Sequence, residues 1–290
     1  MTRAAWAAVL ALLLALGGCT PAPVVEQTSA PSYAELAERY NRRVAGLERL
    51  WSRAVVAARW RDERDKPRYE QGNDSKLLVE LPDRVALVMG SAGQIAFWAG
   101  SDTDKYWLLK LVNERHAFVG MHADAARALA AHDLPLQVSP RSLPALLGLT
   151  PMPPLDPGSE GAVVRWVNGA WQVLLSDGRT RLSIDAVSLL PRQVELLGED
   201  GRPVVVSVLS EPAPVQTHGK PPGAWPVVMT RVEVRAVRQA FSLTLHLEDM
   251  TDAGGPNEQE KAAAFARSFD YQHLVDRAFK IPFEQRTAIE

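Results

Sequence analysis

The chain has 290 residues, with 32 Lys and Arg against 34 Asp and Glu, a net charge of −2. That balance excludes a strongly basic, nucleic-acid-binding protein. One cysteine in the whole chain excludes a disulfide framework and cysteine metal sites, so stability must come from packing.

The first element is apolar. Arg3 precedes an uninterrupted apolar run from Ala4 to Leu16, 13 residues long. A membrane-spanning helix needs roughly 20 apolar residues; a run of this length fits a secretory signal. Leu16-Gly17-Gly18-Cys19 follows and resembles the bacterial lipobox. The resemblance implies a signal peptide over 1–18, with Cys19 the lipid attachment site and the new N-terminus. Two or more acyl chains anchor a protein stably where one does not. Residues 19–31 then read as a Pro-containing tether. Thr20, a residue other than Asp after the cysteine, implies the outer membrane by resemblance to the sorting rule of Gram-negative envelopes. Loss of Arg3 leaves 31 basic against 34 acidic side chains, a net charge of −3 for the mature chain.

Ser32-Tyr33-Ala34-Glu35 reads as a capping box. Tyr33, Leu36, Ala37, Tyr40, Val44, Leu47 and Trp51 recur at helical spacing. The spacing predicts an amphipathic helix reaching Trp51. The period then falls to about 2. "AVVAARWRD", "SKLLVEL", "DRVALVMG", "QIAFWAG", "KYWLLKL" and "HAFVG" predict strands, with Gln71-Gly72-Asn73-Asp74 read as a turn. Gly90-Ser91-Ala92-Gly93 is a hairpin turn rather than a nucleophile elbow. Alternation places Phe97 and Trp98 on opposite faces, and likewise Tyr106 and Trp107.

Residues 122–160 interrupt the strands. An Ala-rich helical stretch is followed by the Pro-bounded apolar segment Leu143–Leu149. Strands resume around Asn168-Gly169, Asp177-Gly178 and Asp200-Gly201, which suit two-residue hairpin turns. "VVMTRVEVRAV" and "AFSLTLHLED" alternate cleanly, as in a sheet with one wet face. The C-terminal "FARSFDYQHLVDRAFKIPFE" is partly helical.

These elements predict a mainly antiparallel β protein with α, an open or half β-barrel of about eleven strands. The N-terminal helix and the helical insertion cover its concave face, in a single domain over 32–290. This pattern resembles the LolA/LolB-like group of periplasmic lipoprotein-handling proteins. The resemblance rests on the lipobox and tether, the helix ending in Leu50-Trp51 and the long meander. It also rests on Asp185, Pro191 and Gly201 in "LSIDAVSLLPRQVELLGEDG" and on the later "AWPVVMTRVEVR". It implies a non-catalytic envelope lipoprotein whose cavity takes acyl chains or lipoproteins, facing the periplasm. A different class is an envelope sensor or scaffold using the same fold for protein contacts.

None of the six histidines has zinc-ligand spacing, and no metal or cofactor is expected. Candidate cavity or lid residues are Leu143, Leu146, Leu147 and Leu149, with Trp98 and Trp107. An apolar element of this kind marks a binding or membrane-contact site.

Overall fold

The computed structural model describes residues 30–62, 64–112, 115–125, 138–155, 163–238, 240–252, 258–278 and 286–288. The expected signal peptide, Cys19 and most of the expected tether fall outside these residues, as does most of the Ala-rich stretch after His122.

Helix α1 is Tyr33–Arg42. Its N-terminus has the expected capping box: the Ser32 hydroxyl accepts from the Glu35 N–H, and the Glu35 carboxylate accepts from the Ser32 N–H. It stops nine residues short of Trp51. Gly46 at φ 72° breaks the path, and β1 (Arg49–Arg61) begins soon after. Val44 and Leu47 mimic helical spacing because the turn still faces the core that α1 faces.

Thirteen strands follow in antiparallel pairing. After β1 come β2 (Pro67–Glu80), β3 (Arg84–Ser91), β4 (Gln94–Ser101), β5 (Lys105–Lys110) and β6 (His116–Met121). The second run is β7 (Val164–Val167), β8 (Ala170–Leu174), β9 (Thr180–Asp185), β10 (Pro191–Leu197), β11 (Pro203–Pro214), β12 (Val227–Ala236) and β13 (Phe241–Thr251). The order is β14-β6-β5-β4-β3-β2-β1-β13-β12-β11-β10-β9-β8-β7, where β14 (Arg286–Ala288) adds in parallel to β6. Two meanders are joined by the β1–β13 pair, in which Ala54 lies opposite Leu247. The ends do not meet, so this is the open half-barrel the resemblance implies, with more strands than expected.

Two turn expectations change. Gln71–Asp74 is not a turn but lies within β2, where the register against β1 shifts between Ala54 and Val56. Asn168 and Gly169 both have positive φ, at 50° and 77°, as a two-residue I′ turn requires. In the Asp177-Gly178 and Asp200-Gly201 turns only the glycine does. These are longer loops built on a tight turn followed by a left-handed glycine, and Leu175 N–H to Thr180 O closes the first.

The concave core holds α1, alternate residues of every long strand such as Val56, Leu87 and Leu245, and the segment around Leu143–Leu149. A second core lies on the convex side. There helices α3 (Glu258–Arg267) and α4 (Tyr271–Ala278) bring Phe265, Phe269, Leu274 and Val275 onto Leu78, Ala86, Val88, Trp107 and Leu109. The convex face of β11–β13 instead carries exposed charge, including Arg231, Arg235 and His246.

Candidate functional site: a leucine plug on the concave face

Residues 139–153 lie across the concave face. A 3₁₀ turn, Pro140–Ser142, runs into the one-turn helix α2 (Leu143–Leu146). Pro140 and Pro144 fit because the missing N–H of a first turn has no helical partner. Gly148 at φ 69° ends the turn, with its N–H on Ala145 O and the Leu149 N–H on Pro144 O. Leu143, Leu146, Leu147 and Leu149 are 0, 0, 1 and 1% exposed. Burial of each is worth roughly 1.5–3 kcal/mol, so the four contribute on the order of 10 kcal/mol as an upper bound.

Side chains of α1 hold the main chain of this plug. The Tyr40 hydroxyl donates to Gly148 O at 2.9 Å. Asn41 makes a reciprocal pair with Met152, giving Nδ2–H to its carbonyl at 2.9 Å and accepting its N–H at 2.8 Å. The Tyr33 hydroxyl donates to Pro153 O at 2.6 Å. From the sheet, the Ser207 hydroxyl donates to Leu146 O at 2.7 Å. Burial raises the Tyr40 and Tyr33 phenols above their ordinary pKa, so both stay donors.

Arg43 completes the grip. It is 9% exposed. Its guanidinium donates to Gly148 O and, at 3.1 Å, to Val227 O, and lies 4.6 Å from the Tyr40 ring centre. Among the described residues it makes no ion pair, and Nε has no partner. A buried cation is tolerated only when its donors are met; here carbonyls and a ring face meet most of them.

Asp185 organises the wall the plug rests on. Its carboxylate accepts from the N–H groups of Ser188 and Val187 and from the Ser188 hydroxyl. The turn delivers Pro191, whose Cγ would lie 3.1 Å from a Cβ added at Gly148. Asp185 and Pro191, singled out in the sequence, thus shape the seat of the plug.

The six expected cavity residues do not share one chamber. The four leucines fill the concave core. Trp107 is wholly buried in the convex core, and Trp98 packs against that core. The faces assigned by alternation hold: Phe97 and Tyr106 are concave, Trp98 and Trp107 convex. Nor are the leucines loosely held, as a mobile lid would be. Sequence reasoning found them as an apolar element but missed the polar grip, whose partners lie 61 to 120 residues away in sequence.

A convex-side cleft of about 410 Å³ lies between Phe269–Gln272 and Arg84, Asp102 and Lys105. Its carboxylates are engaged locally: Asp102 accepts from the N–H groups of Asp104 and Lys105, and Asp270 from that of His273. Among the described residues, no group of three metal-ligating side chains occurs, and no helix is long and apolar enough to cross a membrane.

No family model and no curated protein matches the sequence. The solved structure of a DUF1329 family protein from Desulfovibrio piger superposes with a TM-score of 0.51 at 13% identity, over 85% of this chain and 100% of that one. The two share a fold. A LolA superfamily protein from Nitrosomonas europaea matches with a TM-score of 0.44 at 9% identity, over 79% of this chain and 97% of that one. An outer membrane lipoprotein-sorting protein domain from Vibrio parahaemolyticus matches at 0.41 and 11% identity, over 80% and 97%. At such identities the likeness is one of fold.

Proposed function

We propose that the protein is a non-catalytic, lipid-anchored envelope lipoprotein that takes an acyl chain into its half-barrel by displacing the Leu143–Leu149 plug. The observation that carries this reading is that the concave face is sealed by a one-turn element. That element's own helical hydrogen bonds are few, while its seal is four leucines and a set of side-chain latches. Ejecting the leucines into water would cost on the order of 10 kcal/mol, so opening needs an equally apolar replacement. An acyl chain supplies ~0.8 kcal/mol per CH₂, and about 12 methylenes offset that cost. The tryptophans of the convex core have no part in this reading. Attachment through Cys19 would hold the barrel near a membrane, on the periplasmic side of the outer membrane by the Thr20 rule.

The latch gives the test. Tyr40→Phe with Asn41→Ala loosens the plug but leaves its leucines and the sheet unchanged. The variant should lose about 2–3 kcal/mol of stability and yet bind a fluorescent fatty acid more tightly than the parent, because less energy opposes displacement. Equal or weaker binding by a folded variant would show that the plug is ordinary core and would favour the scaffold reading.

A further inference from the structure

Among the described residues, the buried side chains that carry a formal charge are Arg43, Asp62 and Glu195. Two of them meet an opposite charge. Asp62 pairs with Arg68 at 2.6 Å, and Glu195 with Arg181 at 2.8 Å. Arg43 is held by two carbonyls and a ring face alone. A guanidinium in an apolar core without an anion is costly, because carbonyl dipoles replace only part of the hydration that a full charge gives up. The grip on the plug does not require a cation. Neutral side chains hold its other carbonyls: Asn41 on Met152, Tyr33 on Pro153 and Ser207 on Leu146.

One edge of the Arg43 fork is half filled. Nη2 donates to Gly148 O, and Nη1 on the far side donates to Val227 O. Nε shares the Nη2 edge, is shielded from solvent and meets no acceptor. A single carbonyl oxygen fills one tine of that edge. A carboxylate or phosphate fills both, in the bidentate arrangement that suits arginine.

The fork is also fixed independently of the plug. The Arg43 carbonyl accepts the Val227 N–H at 2.8 Å, and Nη1 returns a bond to Val227 O at 3.1 Å. Val227 is the first residue of β12, and the Tyr40 ring backs the guanidinium at 4.6 Å. When Gly148 O leaves with the plug, the edge formed by Nε and Nη2 stays in place and loses its one acceptor.

We propose that Arg43 is the head-group site of the half-barrel and selects an anionic amphiphile, whose carboxylate or phosphate takes the place of Gly148 O. This rests on the reading that an acyl chain displaces the plug. The tail then follows the path vacated by Leu143, Leu146 and Leu147, because Gly148 ends the turn that carries them.

The test uses the full chain with Cys19→Ser, so that no attached acyl chain competes. Palmitic acid, hexadecyl phosphate and hexadecanol have the same chain length and differ in the head. Their binding is measured with radiolabelled ligand by equilibrium dialysis, at a pH where the acid is ionised. Each anion should bind roughly 10- to 100-fold more tightly than the alcohol, the range of hydrogen bonds to a charged group. The tighter of the two anions supports a free fatty acid or a lipid phosphate as the source of the head. Arg43→Met removes the fork together with one hold on the plug. Loss of that hold alone would tighten all three ligands by one factor and keep their ratio. Loss of a head-group site brings the ratio of anion to alcohol close to one. Arg43→Lys keeps the charge without the fork, and should lose part of the preference even if the methionine variant fails to fold. A parent that binds the three ligands alike, or an unchanged ratio in either folded variant, would overturn the proposal. Equal binding leaves the acyl-chain reading standing, whereas binding of none of the three removes both.

Discussion

Gly100 lies directly opposite Trp107 across the β4–β5 pair, and the indole fills the space a side chain would take. A Cβ at Gly100 would lie 2.6–2.7 Å from three ring atoms. The next residue pair repeats the device on the other face, where Gly120 lies opposite Tyr106 and a Cβ would meet the phenol at 2.7–2.9 Å. Two adjacent aromatics therefore lie flat over two glycines, one on each side of the sheet.

Gly100→Ala should then destabilise by overpacking, by roughly 1–3 kcal/mol, read as a lower denaturant midpoint. Gly223→Ala, where a Cβ meets nothing within 4 Å, should stay within about 0.5 kcal/mol of the parent. Equal midpoints for the two variants would mean that the Trp107 ring gives way at no cost.

Gly178 isolates backbone strain from packing. It sits at φ 64° with no atom within 4 Å of an added Cβ. Gly178→Val should cost roughly 1–3 kcal/mol through conformation alone, while Gly178→Asn, which tolerates that region, should cost less. Thermal melts of the pair separate the two; valine as stable as asparagine would contradict the turn.

Acid should weaken the seat of the plug. The backbone N–H of Ser188 leads the interactions that hold the Asp185 carboxyl below its ordinary range; burial, the next largest effect, opposes it, and the Ser188 hydroxyl, the Val187 N–H and Arg192 add to the lowering. A depressed carboxyl stabilises the fold above its unfolded pKa, near 3.9, and that stability is lost as pH falls through the folded value. Asp185→Asn should be less stable at neutral pH and show a flatter fall of stability below about pH 4. A parallel fall in variant and parent would remove Asp185 from the account.

Cys19→Ala should abolish incorporation of labelled palmitate and leave the protein in the aqueous fraction. Label retained by the variant would mean that the lipid sits elsewhere.

Much of this architecture was legible in the chain, and the gaps have physical causes. The alternation of β12 and β13 announced one wet face. The unbroken apolar runs Leu77–Val79, Val85–Met89 and Tyr106–Leu109 carried the opposite signal, of strands buried on both faces. That signal could have placed α3 and α4 on the convex side, since something apolar must cover it. Adjacent aromatics had to face opposite ways, but nothing local says which way is concave. The leucine plug was visible as composition. Its latch was not: Asn41 and Met152 are polar partners only because the sheet brings them together.

The join between β1 and β13 governs how the molecule is made. Ala54 emerges early and Leu247 late, yet they are neighbours in the middle of the sheet. The first meander must wait with an unpaired edge at β1 while the second is delivered. Such distant pairing slows folding and lengthens exposure of sticky backbone. A chain delivered from its N-terminus would be in most need of a holding chaperone while β1 still lacks its neighbour.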